Sequence, residues 1–253
     1  MTRARRGANR RPTDRELRVG AVAKVDRDRA LRVGVPEIVL GEGKSVEHLV
    51  GILRALRSAG LGAIVSRPSG SQLGAVPALL REGVPIRVLA DGRILRLEGP
   101  LGVEYRRGRV GILTAGTSDV PFAEEARVVL EELGIEVTVA YDIGVAGLHR
   151  LLRALRSVER RRPELYLVFA GREGALPTVV AGLVHAPVIG VPTSIGYGRG
   201  GRGEAALNAM LQSCAPLGVM NIDAAVPAAL FAAQHFAPTG PRRLRGVGPP
   251  RLR

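Results

Sequence analysis

The run Val110-Gly111-Ile112-Leu113-Thr114-Ala115-Gly116-Thr117-Ser118-Asp119-Val120-Pro121-Phe122-Ala123-Glu124-Glu125-Ala126 decides the fold. Val110–Thr114 is short and apolar, as a strand buried on both faces should be. After the polar loop, Phe122, Ala126, Val129, Leu130 and Leu133 fall at i, i+4, i+7, i+8 and i+11, one face of a helix. Pro121 suits the first helical position, Glu124 and Glu125 complement the helix dipole, and Gly134 ends the helix. Strand, loop and amphipathic helix make one βα unit. The same pattern recurs at Val137–Tyr141, Leu165–Ala170, Val188–Val191 and Val219–Ile222. Five units in series predict an α/β fold, a doubly wound parallel sheet over residues 108–236.

Upstream, residues 19–100 read as a smaller N-terminal α/β domain. Pro36–Leu40 is an apolar run, and Ser45 caps a helix over 46–59 with Leu49, Ile52, Leu53 and Leu56 on one face. Gly60 ends that helix, and Leu61–Ser66 returns as a strand. Ile86–Leu89 and Ile94–Leu97 flank Asp91-Gly92 as a hairpin, and Gly99-Pro100 opens a boundary between 99 and 108. Residues 1–18 and 237–253, rich in Arg, Pro and Gly, read as mobile basic tails.

The tails change the meaning of the charge. The chain of 253 residues carries +14, but 1–18 and 237–253 hold +5 each, leaving +4 for the rest. That balance, with 3% aromatics and no Trp, argues against a nucleic-acid partner. Apolar residues at 46% exclude global disorder. One cysteine excludes a disulfide framework and a Cys-based zinc cluster. Leu176 to Pro192 is the longest nearly apolar stretch, too short and too broken to span a bilayer. The basic N-terminus lacks an apolar signal region, so a cytoplasmic location is expected.

In a doubly wound sheet, ligands bind at the carboxyl ends of the strands, so the loops there are the candidates. Gly116, Thr117, Ser118 and Asp119 offer amides, hydroxyls and a helix start suited to phosphate or carboxylate; Ser118 or Asp119 as a simple N-cap is the plain alternative. Asp142, Gly144 and Gly147 permit close approach of a ligand, and His149 is an acid–base group or a surface histidine. Gly171, Glu173 and Gly174 precede a helix that carries Pro177 near its start; Glu173 is a base or a dipole acid. The run Thr193-Ser194-Ile195-Gly196-Tyr197-Gly198-Arg199-Gly200-Gly201-Arg202-Gly203 has special backbone needs, and Arg199 and Arg202 suit phosphates. RGG-type RNA binding is the rival reading of that run. Leu207, Met210, Leu211 and Cys214 form an apolar stripe, which makes Cys214 a core residue by periodicity. Gly43-Lys44-Ser45 is not a Walker A loop, because Ile38 stands where the first glycine belongs. Nor does Gly196-Tyr197-Gly198 make a dinucleotide fingerprint, since it follows a fourth strand.

Together the loops are more specific than any one. Gly111–Pro121 with Ala123-Glu124-Glu125-Ala126 resembles the nucleotide-binding opening of the aminoimidazole ribonucleotide carboxylase superfamily. Tyr141–Arg150, Ala170–Pro177, Val191–Gly198 and Ser213-Cys214-Ala215 resemble its LarB branch, as do Gly34-Val35-Pro36-Glu37 and Gly41-Glu42-Gly43-Lys44. The chain departs from that branch at Arg199-Gly200-Gly201-Arg202 and at Ala224-Ala225.

The resemblance implies a flavodoxin-like strand order and a reaction of nickel-pincer nucleotide cofactor biosynthesis. Nicotinic acid adenine dinucleotide is carboxylated on its pyridinium ring by CO2 (or bicarbonate). The phosphoanhydride is then hydrolysed, giving pyridinium-3,5-biscarboxylic acid mononucleotide and AMP. It assigns Cys214 as nucleophile and Ser118, Asp119 and Glu173 as active-site polar residues, with Glu173 the preferred base. Gly116, Thr117, Asp142, Gly147, His149, Gly171, Gly174 and the 193–203 run are expected to bind substrate. No tightly bound cofactor is expected, with Mg2+ entering only on the substrate phosphates. The expected partners are the downstream sulfur-transfer and nickel-insertion enzymes and further copies of the chain, an octamer with shared sites. The alternative within the superfamily is the N5-carboxyaminoimidazole ribonucleotide mutase of purine biosynthesis.

Overall fold

The computed structural model describes residues 16–19, 23–26, 29–105 and 107–237. The tail readings for 1–15 and 238–253 lie outside these. Residues 16–18 do not belong to a tail: β1 (Glu16–Val19) pairs antiparallel with β2 (Ala23–Asp26), from Glu16 opposite Asp26 to Val19 opposite Ala23. Backbone pairing outweighs the local Arg-rich composition there.

Two compact units divide the chain. One comprises the described residues up to Arg87 with Leu95–Val103, and the other Val88–Ile94 with the described residues from Glu104 to Ala237. After β2 the first unit continues through α1 (Arg29–Val33), β3 (Ile38–Leu40), α2 (Val46–Ser58), β4 (Ala63–Ser66), α3 (Gly70–Gly74) and α4 (Val76–Arg81). β5 (Ile86–Leu89) and β6 (Ile94–Leu97) complete a sheet in the order β3-β4-β6-β5. β3 and β4 are parallel across α2, which gives the expected βαβ unit. The Ser45 hydroxyl accepts from the His48 amide as the helix cap, and Leu49, Ile52, Leu53 and Leu56 are all buried against Val39, Val65, Leu95 and Leu97. The expected hairpin turn is made by Ala90, Asp91 and Gly92, all at positive φ.

The second unit has β7 (Arg109–Thr114), α5 (Val120–Glu132), β8 (Glu136–Ala140), α6 (Leu148–Glu159) and β9 (Leu165–Ala170). It continues with α7 (Ala175–Ala181), β10 (Val188–Pro192), α8 (Glu204–Leu211), β11 (Leu217–Val219) and α9 (Ala225–His235). The order is β11-β10-β9-β7-β8 with every pair parallel, the flavodoxin-type order that the resemblance implies. The right-handed crossover rule and the reversal beside β7 place helices on both faces. Leu151, Leu155 and Val158 of α6 share one core with Leu176 and Val180 of α7 and with Ala206 and Met210 of α8. On α5, Ala126, Val129, Leu130 and Leu133 are buried as the period demands. Phe122 is only half-buried, beneath the Arg93 guanidinium 4.8 Å from its ring centre.

Two expectations fail here. The fifth strand is Leu217–Val219, not Val219–Ile222; pairing starts where Leu217 meets Val188. The stripe Leu207-Met210-Leu211-Cys214 is not a core face. α8 ends at Leu211, its buried residues are Ala206 and Met210, and Leu211 and Cys214 are exposed. Close approach to α7 and β10 sets the rotation of the helix: a Cβ on Gly174 would lie 2.6 Å from the Ala206 carbonyl, and one on Gly190 2.9 Å from the Met210 sulfur. Among the described residues no helix is long and apolar enough to cross a membrane.

Candidate active site

Four of the expected loops gather at the carboxyl end of the five-stranded sheet, since they follow β7, β8, β9 and β10. Their backbones are laced to the neighbouring strands. Ala115 N donates to the Phe169 carbonyl (2.9 Å), Ile143 N to Thr114 (3.0 Å) and Thr193 N to Ala170 (3.2 Å).

Asp119 is the centre of the arrangement. It stands at the N-cap position of α5 but makes no cap bond with its side chain. Its carboxyl instead accepts from Gly116 N (2.9 Å) and from the Thr193 hydroxyl (2.6 Å), joining the loops after β7 and β10. Asp119 thus both closes a capping box on the short turn Thr117–Asp119, through Gly116, and ties that loop to Thr193. Burial pushes this carboxyl above the usual carboxylate range; the two hydrogen bonds oppose the shift, and the nearby Glu173 charge adds to it. Asp119 is buried, and Glu173, on the loop after β9, is exposed. Thr117 and Ser118 are exposed beside them.

The loop after β9 meets the loop after β10 with no space for a side chain. A Cβ on Gly171 would lie 2.2 Å from the Ile195 carbonyl and 2.3 Å from Thr193 Oγ1. Gly174 takes the left-handed φ of 67° that turns the chain into α7. Ser194 N donates to Asp223 Oδ1 (2.7 Å), and Asp223 N to the Pro192 carbonyl (2.9 Å). A cleft of about 230 Å³ opens between these loops, lined by Arg172, Glu173, Gly196, Tyr197, Gly200 and Ala205. Gly198, Arg199 and Arg202 lie on its exposed glycine run, and Arg202 also has positive φ.

The loop after β8 contributes less than expected. Asp142 N donates to Thr114 Oγ1 (3.0 Å), and its carboxylate accepts from Arg150 (3.2 Å). Gly147 is buried against the Arg150 side chain, and His149 is exposed on the first turn of α6. Behind this loop, Tyr141 donates to Glu124, which Arg127 holds below the usual carboxylate range.

Cys214 is not with the others. It lies in the connection from α8 to β11, at the amino end of the sheet. β10, the strand beside β11, separates it from Thr193 by roughly 15 Å at about 3.3 Å per residue. Sequence reasoning also missed two pins, Thr114 and Asp223. An acid at the end of the fifth apolar run, followed by a helix, was the available signal for Asp223. No cluster of three or more metal-ligating side chains occurs among the described residues.

Strand order and glycine-built loops are those of a doubly wound α/β domain, and the comparisons show its family. The AIR carboxylase profile matches residues 109–245, and the LarB/PurE-like N-terminal domain profile matches 15–98. The chain belongs to the AIR carboxylase family. Across both units it is similar to an uncharacterized protein of Methanocaldococcus jannaschii, 39% identical over 212 residues, 83% of this chain and 82% of that protein. The N5-carboxyaminoimidazole ribonucleotide mutase of Thermotoga maritima is 38% identical over 88 residues, 33% of this chain and 49% of its own length. The probable mutase of Methanothermobacter thermautotrophicus is 32% identical over 151 residues, 57% of this chain and 40% of its own. A crystal structure of Treponema denticola PurE aligns with a TM-score of 0.43 at 27% identity, over 52% of this chain and 80% of that one. AIR carboxylase family members are carboxylases and mutases, so an enzyme is the expectation for this chain.

Proposed function

We propose that this family member carboxylates the pyridinium ring of nicotinic acid adenine dinucleotide and then hydrolyses its phosphoanhydride. The observation that supports this reading is the placing of Asp119, tied to Thr193, and Glu173 on loops at the same end of the sheet, with Glu173 lining an open cleft. The LarB/PurE-like N-terminal domain supports the pyridinium substrate over the purine intermediate, because the mutase relatives match no more than 57% of this chain.

The Cys214 thiolate adds to the carbon beside the ring nitrogen, forming a C–S bond while the nitrogen takes the displaced electron pair. The resulting enamine carbon attacks CO2 and forms the C–C bond. Glu173 takes the proton from that carbon, the electron pair restores the ring double bond, and the thiolate leaves. Water then cleaves the phosphoanhydride to give the dicarboxylated mononucleotide and AMP. Thr117, Ser118 and the amides of the 196–203 run hold the phosphates. Any Mg2+ bound by those phosphates would add charge neutralisation.

Cys214 stands at the other end of the sheet from Glu173, so this reading requires a homo-oligomer in which one subunit lends its exposed Cys214 to another's cleft. The test incubates the protein with the dinucleotide and bicarbonate and follows both products by mass spectrometry. Product from wild type, none from Cys214→Ala, at least about 10²-fold less from Glu173→Gln, and recovered activity when the two variants are mixed and reassembled are the expected results. Absence of product from wild type, or full activity in Cys214→Ala, overturns the reading. Turnover of carboxyaminoimidazole ribonucleotide without need of Cys214 would establish the mutase instead.

A further inference from the structure

Tyr197 is a large aromatic side chain left 76% exposed, on a run otherwise made of glycine and arginine. It is not adrift. The Arg172 guanidinium lies 4.6 Å from its ring centre, covering one face. The loops beneath are locked, because Gly171 touches Ile195 and Thr193 with no room to spare, and Gly201 N closes a turn onto the Gly198 carbonyl (3.1 Å). An exposed ring with one face covered by a cation has one face left for stacking. Tyr197 forms a wall of the same cleft as Glu173, and at about 230 Å³ that cleft has room for a single ring.

We infer that Tyr197, backed by Arg172, is the platform on which the reacting pyridinium ring of the substrate stacks. This inference rests on the reaction proposed above. Of the two rings in the dinucleotide, the pyridinium is the one that must come within reach of Glu173, and Glu173 and Tyr197 share the cleft. The ring's positive charge suits both the face of the tyrosine and the Glu173 carboxylate. Stacking holds the ring flat against one wall and presents its edge, with the proton to be removed, to the base. Adenine, lacking that constraint, takes no part in this contact.

The test uses nicotinic acid mononucleotide and the whole protein. Ring stacking shifts the pyridinium proton resonances upfield on binding by ring current. The shift is expected in wild type and in Tyr197→Phe, and absent in Tyr197→Leu. Steady-state kinetics with the full dinucleotide should show KM raised at least about tenfold in Tyr197→Leu and kept within about threefold in Tyr197→Phe. Arg172→Met, which frees the tyrosine ring, should fall between them. Tyr197 is exposed, so these variants keep the fold, which circular dichroism checks. Wild-type product formation with an unchanged KM and an unchanged ring-current shift in Tyr197→Leu overturns the platform alone. No product from wild type overturns the reaction beneath it. A shift seen on the adenine protons of the dinucleotide, and not on the pyridinium, overturns the choice of ring.

Discussion

Each unit contains a loop that leaves a parallel strand and opens a long helix, and the two are built to opposite ends. In the first unit Gly41-Glu42-Gly43-Lys44-Ser45 runs from β3 to α2. The buried Gln72 fills it: the side-chain amide donates to the Gly41 carbonyl (3.0 Å) and the Lys44 carbonyl (2.8 Å), while its oxygen accepts from Ser69 N (2.9 Å). Ser45 is spent on the helix cap. In the second unit Ala115-Gly116-Thr117-Ser118-Asp119 runs from β7 to α5. Here Asp119 folds back onto Gly116 and reaches Thr193, and Thr117 and Ser118 stay open to solvent. The same topology is plugged by its own chain in one unit and left open to solvent in the other. A strand–loop–helix turn therefore marks a binding site only when nothing in the chain already satisfies its polar groups.

The largest test of this contrast is chemical. Glu173 is exposed beside the open turn, so Glu173→Gln keeps shape and hydrogen-bonding size but removes the base. Product formation is expected to fall by about 10²–10⁴-fold, the usual range for losing a general base, with an unchanged melting temperature. A small effect would mean that proton removal is done elsewhere and that the open turn is not the reacting end.

A matched pair of glycine substitutions tests the packing directly. A Cβ on Gly41 would lie 2.8 Å from Gln72 Oε1 and from the Pro68 backbone, whereas one on Gly116 would meet only Asp119 Oδ2 at 3.7 Å. Gly41→Ala is expected to destabilise by about 1–3 kcal/mol, the cost of overpacking a filled site. Gly116→Ala should change stability by less than about 0.5 kcal/mol. Denaturant midpoints compare the two, and equal losses would erase the distinction between plugged and open.

Much of this was legible in the sequence, for identifiable reasons. Strand and helix periods gave α2 and α5 nearly residue for residue, because Leu49, Ile52, Leu53 and Leu56 make one buried face of α2 and Ala126, Val129, Leu130 and Leu133 are buried along α5. Loop positions followed from the order of units. The period misled at α8, where Leu207 and Leu211 imitate a buried stripe while small neighbours, Gly174 and Gly190, let Ala206 and Met210 take the buried side. Partners across the fold were out of reach too. Gln72, Thr193 and Asp223 each act on a loop more than twenty-five residues away, and no local pattern records such a contact. The exposed Cys214 was hidden for the same reason, since exposure is decided by where α8 stops.

The smallest expected effect concerns pH, and its sign separates a carboxyl that is buried from one that is merely paired. Burial raises the Asp119 pKa in the folded state above its unfolded value near 3.9. The folded protein then binds this proton more tightly than the unfolded chain does. Its stabilising contribution is complete below the unfolded value and is lost as pH rises through the raised folded value. Asp119→Asn removes the titration and keeps an oxygen for the Thr193 hydroxyl, though not one for both donors. Plotted against pH, the stability difference between wild type and Asp119→Asn should therefore shift toward the variant as pH climbs from about 4 toward neutrality. Glu124 supplies the contrast: Arg127 lowers its pKa, so its contribution is present above the ordinary carboxylate range and lost on acidification. Denaturant midpoints for Asp119→Asn and Glu124→Gln at matched pH values should run with opposite slopes relative to wild type. Parallel slopes would mean that the hydrogen bonds from Thr193 and Gly116 outweigh burial, and that Asp119 sits ionised in the folded loop.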